Sequence, residues 1–284
     1  MAYLFIFLSA FCSLLIAHFL KVTEVKQLRT LNTLTANYLV AALFALVWGT
    51  LKAGFGFLNT DLLFFGFCLV VGIFFIANFI AYSKSVHTNG VGVTITAMRL
   101  SLLVPVLLSV ILYSEYLTFL KTIGVILVFA SLILLKPKKT EVKVGTINAG
   151  WLLLIVFALS GFADASLKVY EEEFSTELNE LIFMGLVFLG AFFIGFISSI
   201  YRKGQLFTRE EFKLGTLIGL PNLYSSIFLI YALADISGSI AYPMVNMLSV
   251  AGGTALGLLR WNDSVSTMQW IGLSIALVAI LILL

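Results

Sequence analysis

Charge is what this chain has least of. Of its 284 residues, 11% are Asp, Glu, Lys or Arg and 61% are hydrophobic, with a mean hydropathy of +1.10. A soluble domain carries about 25% charged residues, so the polar side chains here are too few to cover a solvated surface. Cysteine is nearly absent: Cys12 and Cys68 fall in separate apolar runs, which argues against a disulfide framework or a thiolate metal site. With only His18 and His87, neither a zinc-binding helix nor a serine with a histidine base can be assembled. The chain is therefore not read as an enzyme, and no cofactor or metal is expected. No phosphate-binding glycine motif occurs, so ATP is not the driver within this chain. A net charge of +3, with no basic run interleaved with aromatics, gives no reason to expect a nucleic-acid partner.

What the chain has is apolar length. Runs of about 18 to 23 residues recur between short polar breaks, and a helix needs about 20 such residues to cross a bilayer. Ten spans are predicted, at 2–20, 31–51, 62–83, 90–112, 118–136, 147–168, 180–201, 214–233, 238–259 and 267–284. The runs are continuous and do not alternate, which favours helices over a barrel. The first has no basic segment before it and Lys21 directly after it, so it reads as helix one and not as a cleaved signal peptide.

The chain also repeats itself. "YSEYLTFLKTIGVILVFASLILL" (113–135) aligns with "RWNDSVSTMQWIGLSIALVAILILL" (260–284) when Glu115 is set on Asp263 and Gly124 on Gly272. Tyr82, followed by a short polar link, pairs in the same way with Tyr231. Between the halves, "KPKKTEVKVGTINAG" (136–150) reads as a linker, dividing the chain into 1–140 and 141–284. Five spans per half is an odd number, so the second half must enter the membrane from the opposite side. The predicted fold class is an all-α membrane protein of ten transmembrane helices, two inverted five-helix repeats around a central cavity.

These residues resemble the drug/metabolite transporter superfamily in its ten-helix EamA-like branch. The resemblance is carried by "SEYLTFLKTIG" after helix four, its weaker copy "NDSVSTMQWIG" after helix nine, and Pro105 within helix four. It implies a basket of helices around a cavity that moves small organic metabolites, commonly outward. Two departures stand out: Gly253 occupies the position that repeats Pro105, and Asp263 the position that repeats Glu115.

Thirteen of the 17 Lys and Arg residues lie in the loops after odd-numbered spans, and three, Lys52, Lys121 and Lys168, at the even ones. The positive-inside rule then makes the odd loops cytoplasmic and both termini external. The resemblance implies the reverse, both termini inside. The expected location is the bacterial inner (cytoplasmic) membrane, as a multi-pass protein.

Candidate site residues follow from polar side chains inside the spans. Thr94, Met98, Ser101 and Pro105 share one stripe of helix four. Their repeat counterparts Tyr242, Asn246, Ser249 and Gly253 form the same stripe on helix nine. Two such stripes suit a midplane binding cavity, or else helix-to-helix packing of the kind expected at Gly215-x-x-x-Gly219 and Gly253-x-x-x-Gly257. Asn78, Tyr82, Asn222 and Tyr224 add further mid-span polar groups, and Pro221 predicts a break in helix eight beside Asn222.

Arg99 is the costly residue. A buried mid-span arginine costs about 2.5–3.5 kcal/mol on insertion scales, so it needs a partner or a wet cavity. Asp164, the acid well inside helix six, is its best internal partner. The other reading is that the Arg99 fork holds the carboxylate or phosphate of a substrate, leaving Asp164 as a candidate proton-coupling site. The predicted function is secondary transport of a small anionic or zwitterionic metabolite, such as an amino acid or organic acid, by alternating access. Export is implied by the resemblance; uptake and multidrug efflux of lipophilic cations are the alternatives. The expected partners are the small-molecule substrate, the lipid bilayer and protons, with the chain a monomer or homodimer.

Overall fold

The computed structural model describes residues 1–135, 149–201, 207–260 and 266–283. The linker at 136–148, Arg202 and Lys203, and the repeat residue Asp263 lie outside the described residues. The chain is 87% helical with no strand among the described residues. Its helices are α1 (Ala2–Val25), α2 (Thr30–Ala53), α3 (Leu62–Asn89), α4 (Val91–Leu100), α5 (Leu103–Ile111), α6 (Phe119–Leu134), α7 (Gly150–Glu173), α8 (Glu180–Tyr201), α9 (Arg209–Leu233), α10 (Gly238–Arg260) and α11 (Thr267–Leu283). Eight segments are long and apolar enough to cross a membrane, counting Val93–Ile111 of α4 and α5 as one. This is a multi-pass integral membrane protein. The other two predicted spans, α6 and α11, are shorter apolar helices of 16 and 17 residues, about 24–26 Å long against a hydrocarbon core of about 30 Å.

The outer surface of the bundle is as apolar as its interior. Large apolar side chains such as Leu4, Phe7 and Phe11 on α1, or Phe193, Ile197 and Ile200 on α8, face outward. The inner face of α2 is instead Asn32, Thr33, Thr35, Ala36, Asn37, Ala41, Ala42 and Ala45. Lipid tails provide no hydrophobic drive between helices, so close backbone approach at small residues does the holding. Where α2 meets α8, a Cβ on Gly185 would lie 2.8 Å from Leu46, and one on Gly195 would lie 2.5 Å from Thr35. The repeat-related glycines of α6 and α11 behave reciprocally. A Cβ on Gly124 would meet Leu283 at 2.9 Å, and one on Gly272 would meet Leu135 at 3.0 Å, so the two helices lie antiparallel.

Contacts between turns define two ends of the bundle. At one, Arg29 after α1 grips Glu211 of α9 at 2.8 Å through both Nε and Nη2, Lys26 pairs with Glu210, and Asn89 at the end of α3 exchanges hydrogen bonds with Ala149 before α7. Hydrogen bonding to Glu211 raises the Arg29 guanidinium above its ordinary range. At the other end, Glu115 in the α5–α6 turn reaches the start of α10, and Tyr231 donates to Glu180. The first end carries the basic loops.

The predicted fourth helix is two. Pro105 has no N–H to return to the Ser101 carbonyl, so the α-helical ladder fails there. The Ser101 carbonyl accepts instead from Val104 N–H at 2.9 Å, and the chain breaks between Leu100 and Leu103. Gly161 of α7 lies against this break. The matching region of α10, with Gly253 in place of the proline, is continuous. So is α9, where a break at Pro221 was expected. Ser225, one turn on, ties α9 to Ser9 and Ser13 of α1.

Candidate functional site

Arg99 sits in the last turn of α4, just ahead of the break, and is half-buried. The Arg99–Asp164 pair weighed from sequence is not formed: neither residue has an ion pair among the described residues. Among the described residues Arg99 makes one hydrogen bond, a long one from Nη1 to the Leu135 carbonyl at 3.5 Å. Leu135 is the C-cap of α6. The guanidinium therefore reaches the C-terminus of α6, an end that carries the equivalent of about half a negative charge. Most of its donors meet no carboxylate among the described residues. Tyr82 of α3 is within electrostatic reach of it.

The rest of the predicted stripe divides into satisfied and open groups. On α4, Thr94 is fully buried and bonded to Ser85 Oγ at 2.8 Å and to the Gly90 carbonyl at 2.9 Å. Ser101 donates to the Met98 carbonyl and Ser249 to the Val245 carbonyl. Tyr242 is buried and donates to the Asp164 carbonyl at 2.8 Å. Asn78 accepts from Ser160 of α7 at 2.8 Å, and Asn222 donates to Asn37 of α2 at 3.3 Å. Tyr224 packs on Phe44 and Phe228. By contrast the side chains of Asn246 and Asp164, both half-buried, make no hydrogen bond among the described residues, and Met98 is half-buried beside Arg99.

The two glycine motifs separate in the same way. A Cβ on Gly215 would come within 2.6 Å of Ala36, and one on Gly219 within 3.1 Å of the Asn37 carbonyl, so this pair does pack α9 on α2. Around Gly253 there is nothing within 4 Å. Gly215→Ala is expected to lower the thermal midpoint of the purified protein, whereas Gly253→Ala should hold or raise it. Alanine is worth up to about 1 kcal/mol over glycine in a helix where space allows. A fall at Gly253 as large as at Gly215 would show that position 253 is a packing site after all.

Two apolar grooves mark the outer surface. One of about 730 Å³ lies between α3 and α7 along Leu63, Gly66, Phe67, Val70 and Phe174. The other, of about 310 Å³, lies between α1 and α9 at Cys12, Leu220, Pro221, Tyr224 and Phe228. Of the predicted site residues only Tyr224 lines either.

The fold itself has a solved counterpart. A crystal structure whose description states no function superposes with a TM-score of 0.80 at 12% identity, covering 99% of this chain and 96% of the other. An uncharacterized protein of Haemophilus influenzae is 26% identical over 95% of this chain and 93% of its own length. No family model matches the chain. The likeness to the crystal structure is one of fold.

Sequence reasoning missed the residues that tie the two ends of the bundle. Lys168, counted as a loop cation, is 3% exposed and holds Glu172 at 2.6 Å, Glu171 at 3.1 Å and Glu115 at 3.4 Å. Glu211, unremarked in the sequence, is 1% exposed under Arg29. The Thr-x-x-Glu spacing of Thr208 and Glu211, which forms a capping box, was the available signal for the second. For the first there was the i, i+3 and i+4 spacing of Lys168, Glu171 and Glu172.

Proposed function

We propose that this chain is a secondary transporter of the bacterial cytoplasmic membrane, two inverted five-helix repeats that move small anionic or zwitterionic metabolites by alternating access. The observation that carries the reading is Arg99, which donates to the carbonyl at the end of α6 and has no carboxylate partner among the described residues. A residue so costly to insert, with its planar fork unpaired, is suited to a carboxylate or phosphate that arrives and leaves. The reciprocal packing of Gly124 and Gly272 supports the repeat, since a two-fold relation between inverted halves brings equivalent residues into equivalent contacts. The resemblance to EamA-like transporters points the same way and favours export. The excess of Lys and Arg at the Arg29–Glu211 end favours a cytoplasmic position for that end. Asp164, an acid within α7 whose carboxylate makes no hydrogen bond among the described residues, is the candidate proton-coupling residue.

The test is ligand-induced stabilisation of detergent-purified protein against anionic, zwitterionic and cationic metabolites, since a ligand that binds only the folded state raises its thermal midpoint. Carboxylates or phosphates are expected to raise it, and Arg99→Gln to abolish that rise while leaving the ligand-free midpoint within a few degrees. A rise confined to lipophilic cations, or one that survives Arg99→Gln, overturns the anion reading and moves the proposal to multidrug efflux.

A further inference from the structure

The end of the bundle opposite the basic loops is closed by contacts that cross between the two halves of the chain. At that end α5 and α10 approach so closely that a Cβ on Gly238 would lie 2.2 Å from Ser109 Oγ. Ser109 is fully buried, and its hydroxyl finds no partner. One turn further on, Ser114 takes a left-handed backbone, φ 53°, which is uncommon for a residue with a Cβ. This conformation delivers Glu115 to the N-terminus of α10. There its carboxylate accepts from the N–H of Gly238 at 2.8 Å, the N–H of Ser239 at 3.0 Å and the hydroxyl of Ser239 at 2.8 Å. It also faces Lys168 of α7 at 3.4 Å, whose ammonium lies 5.9 Å from the Tyr113 ring. Burial and the neighbouring Glu173 and Glu172 push the Tyr113 hydroxyl up to about 12, so it stays neutral.

Further along α10 and on α4 the burial is less complete. From Ser249 to Thr254 the α10 residues are half-exposed, a Cβ on Gly253 would meet nothing within 4 Å, and Met98 to Leu100 of α4 are half-exposed. We propose that Glu115 is the latch of a gate: it holds the α5–α10 end shut in this state, and must let go of Gly238, Ser239 and Lys168 for the Arg99 site to open there. This rests on the transport reading. The chemistry suits a bond made to be broken. When Glu115 leaves, Lys168 keeps Glu171 and Glu172, so no buried ammonium is stranded. The freed N–H groups of Gly238 and Ser239 turn to water at a helix start that is then open to it. Ser114 is released from its left-handed backbone at the same step.

The experiment uses full-length protein in detergent with Cys12→Ser and Cys68→Ser, and measures maleimide labelling at two single reporters, Ser109→Cys at the closed end and Gly253→Cys at the open one. With Glu115 present, Ser109→Cys should label slowly and Gly253→Cys fast. Glu115→Gln and Glu115→Ala are expected to raise the rate at Ser109→Cys by about tenfold or more and to lower the rate at Gly253→Cys, the reciprocal change of a shift between two states. Unchanged rates at Ser109→Cys in both variants overturn the latch and leave Glu115 as a helix cap. Rates that rise together at both reporters also overturn it, because they report loosening and not exchange. The assay contains no ligand, so it separates from the transport reading. Flat labelling beside an intact ligand response sinks the latch alone. Reciprocal labelling with no response to any metabolite sinks the substrate reading and keeps the gate.

Discussion

Lys168→Met should be among the most damaging single substitutions in this protein. The ammonium is 3% exposed and lies within 3.4 Å of three carboxylates, Glu115, Glu171 and Glu172. Methionine keeps most of the packing volume and removes the charge, so three acids of like sign are left to face one another, two of them, Glu115 and Glu171, largely buried. Removing one partner of a buried ion pair costs about 3–5 kcal/mol, chiefly the cost of the charge left behind. The expected result is a large drop in thermal midpoint and in monodisperse yield, with Lys168→Arg close to the parent. Adding Glu171→Gln to Lys168→Met should recover part of the loss, since it removes one of the stranded charges. A methionine variant as stable as the parent would mean that these carboxylates are solvated in the membrane-embedded protein, and that Lys168 contributes nothing to holding α7 against the α5–α6 turn.

The second large effect belongs to Gly161. Its position on α7 backs onto the break between α4 and α5, where a Cβ would lie 2.4 Å from Val104 Cγ2, 2.6 Å from Val104 Cβ and 2.9 Å from the Ser101 carbonyl. The oxygen is backbone, and it is the one that Pro105 has left without an α-helical partner. It cannot swing aside as a side-chain end can. Gly161→Leu must therefore push α7 off the break or force α4 and α5 into a new register, and overpacking of this kind costs about 1–3 kcal/mol or more. We expect a lowered midpoint together with loss of any ligand response, because Arg99 is set by the same break. Gly66→Leu is the control: nothing lies within 4 Å of that position, and it should be tolerated. If Gly161→Leu matched Gly66→Leu in stability and ligand response, the close packing at the break would be irrelevant to the site.

Much of the architecture was legible in the amino-acid string, because membrane insertion is governed by a one-dimensional quantity. Apolar length is counted along the chain, and α1, α2, α3, α7, α8, α9 and α10 fall where the runs do. Local chemistry was less so: span 90–112 was read as one helix, and the structure divides it just ahead of Pro105. Pro221 shows the converse. α9 runs through it unbroken, and one turn on Ser225 bonds to Ser9 and Ser13 of α1, more than 200 residues away in sequence.

Charge compensation is what only the tertiary structure decided. From sequence, Arg99 called for an acid, and Asp164 was the acid in the interior. In the folded protein Arg99 meets no acid among the described residues and donates to the Leu135 carbonyl at the end of α6, a group that every residue carries and that no residue letter marks. Lys168 and Glu115, 53 positions apart in sequence, looked like loop charges until the bundle closed around them. A span can be recognised from its own residues because lipid sees one helix at a time. An electrostatic partner cannot, because the distance that sets its energy exists only after the helices have packed.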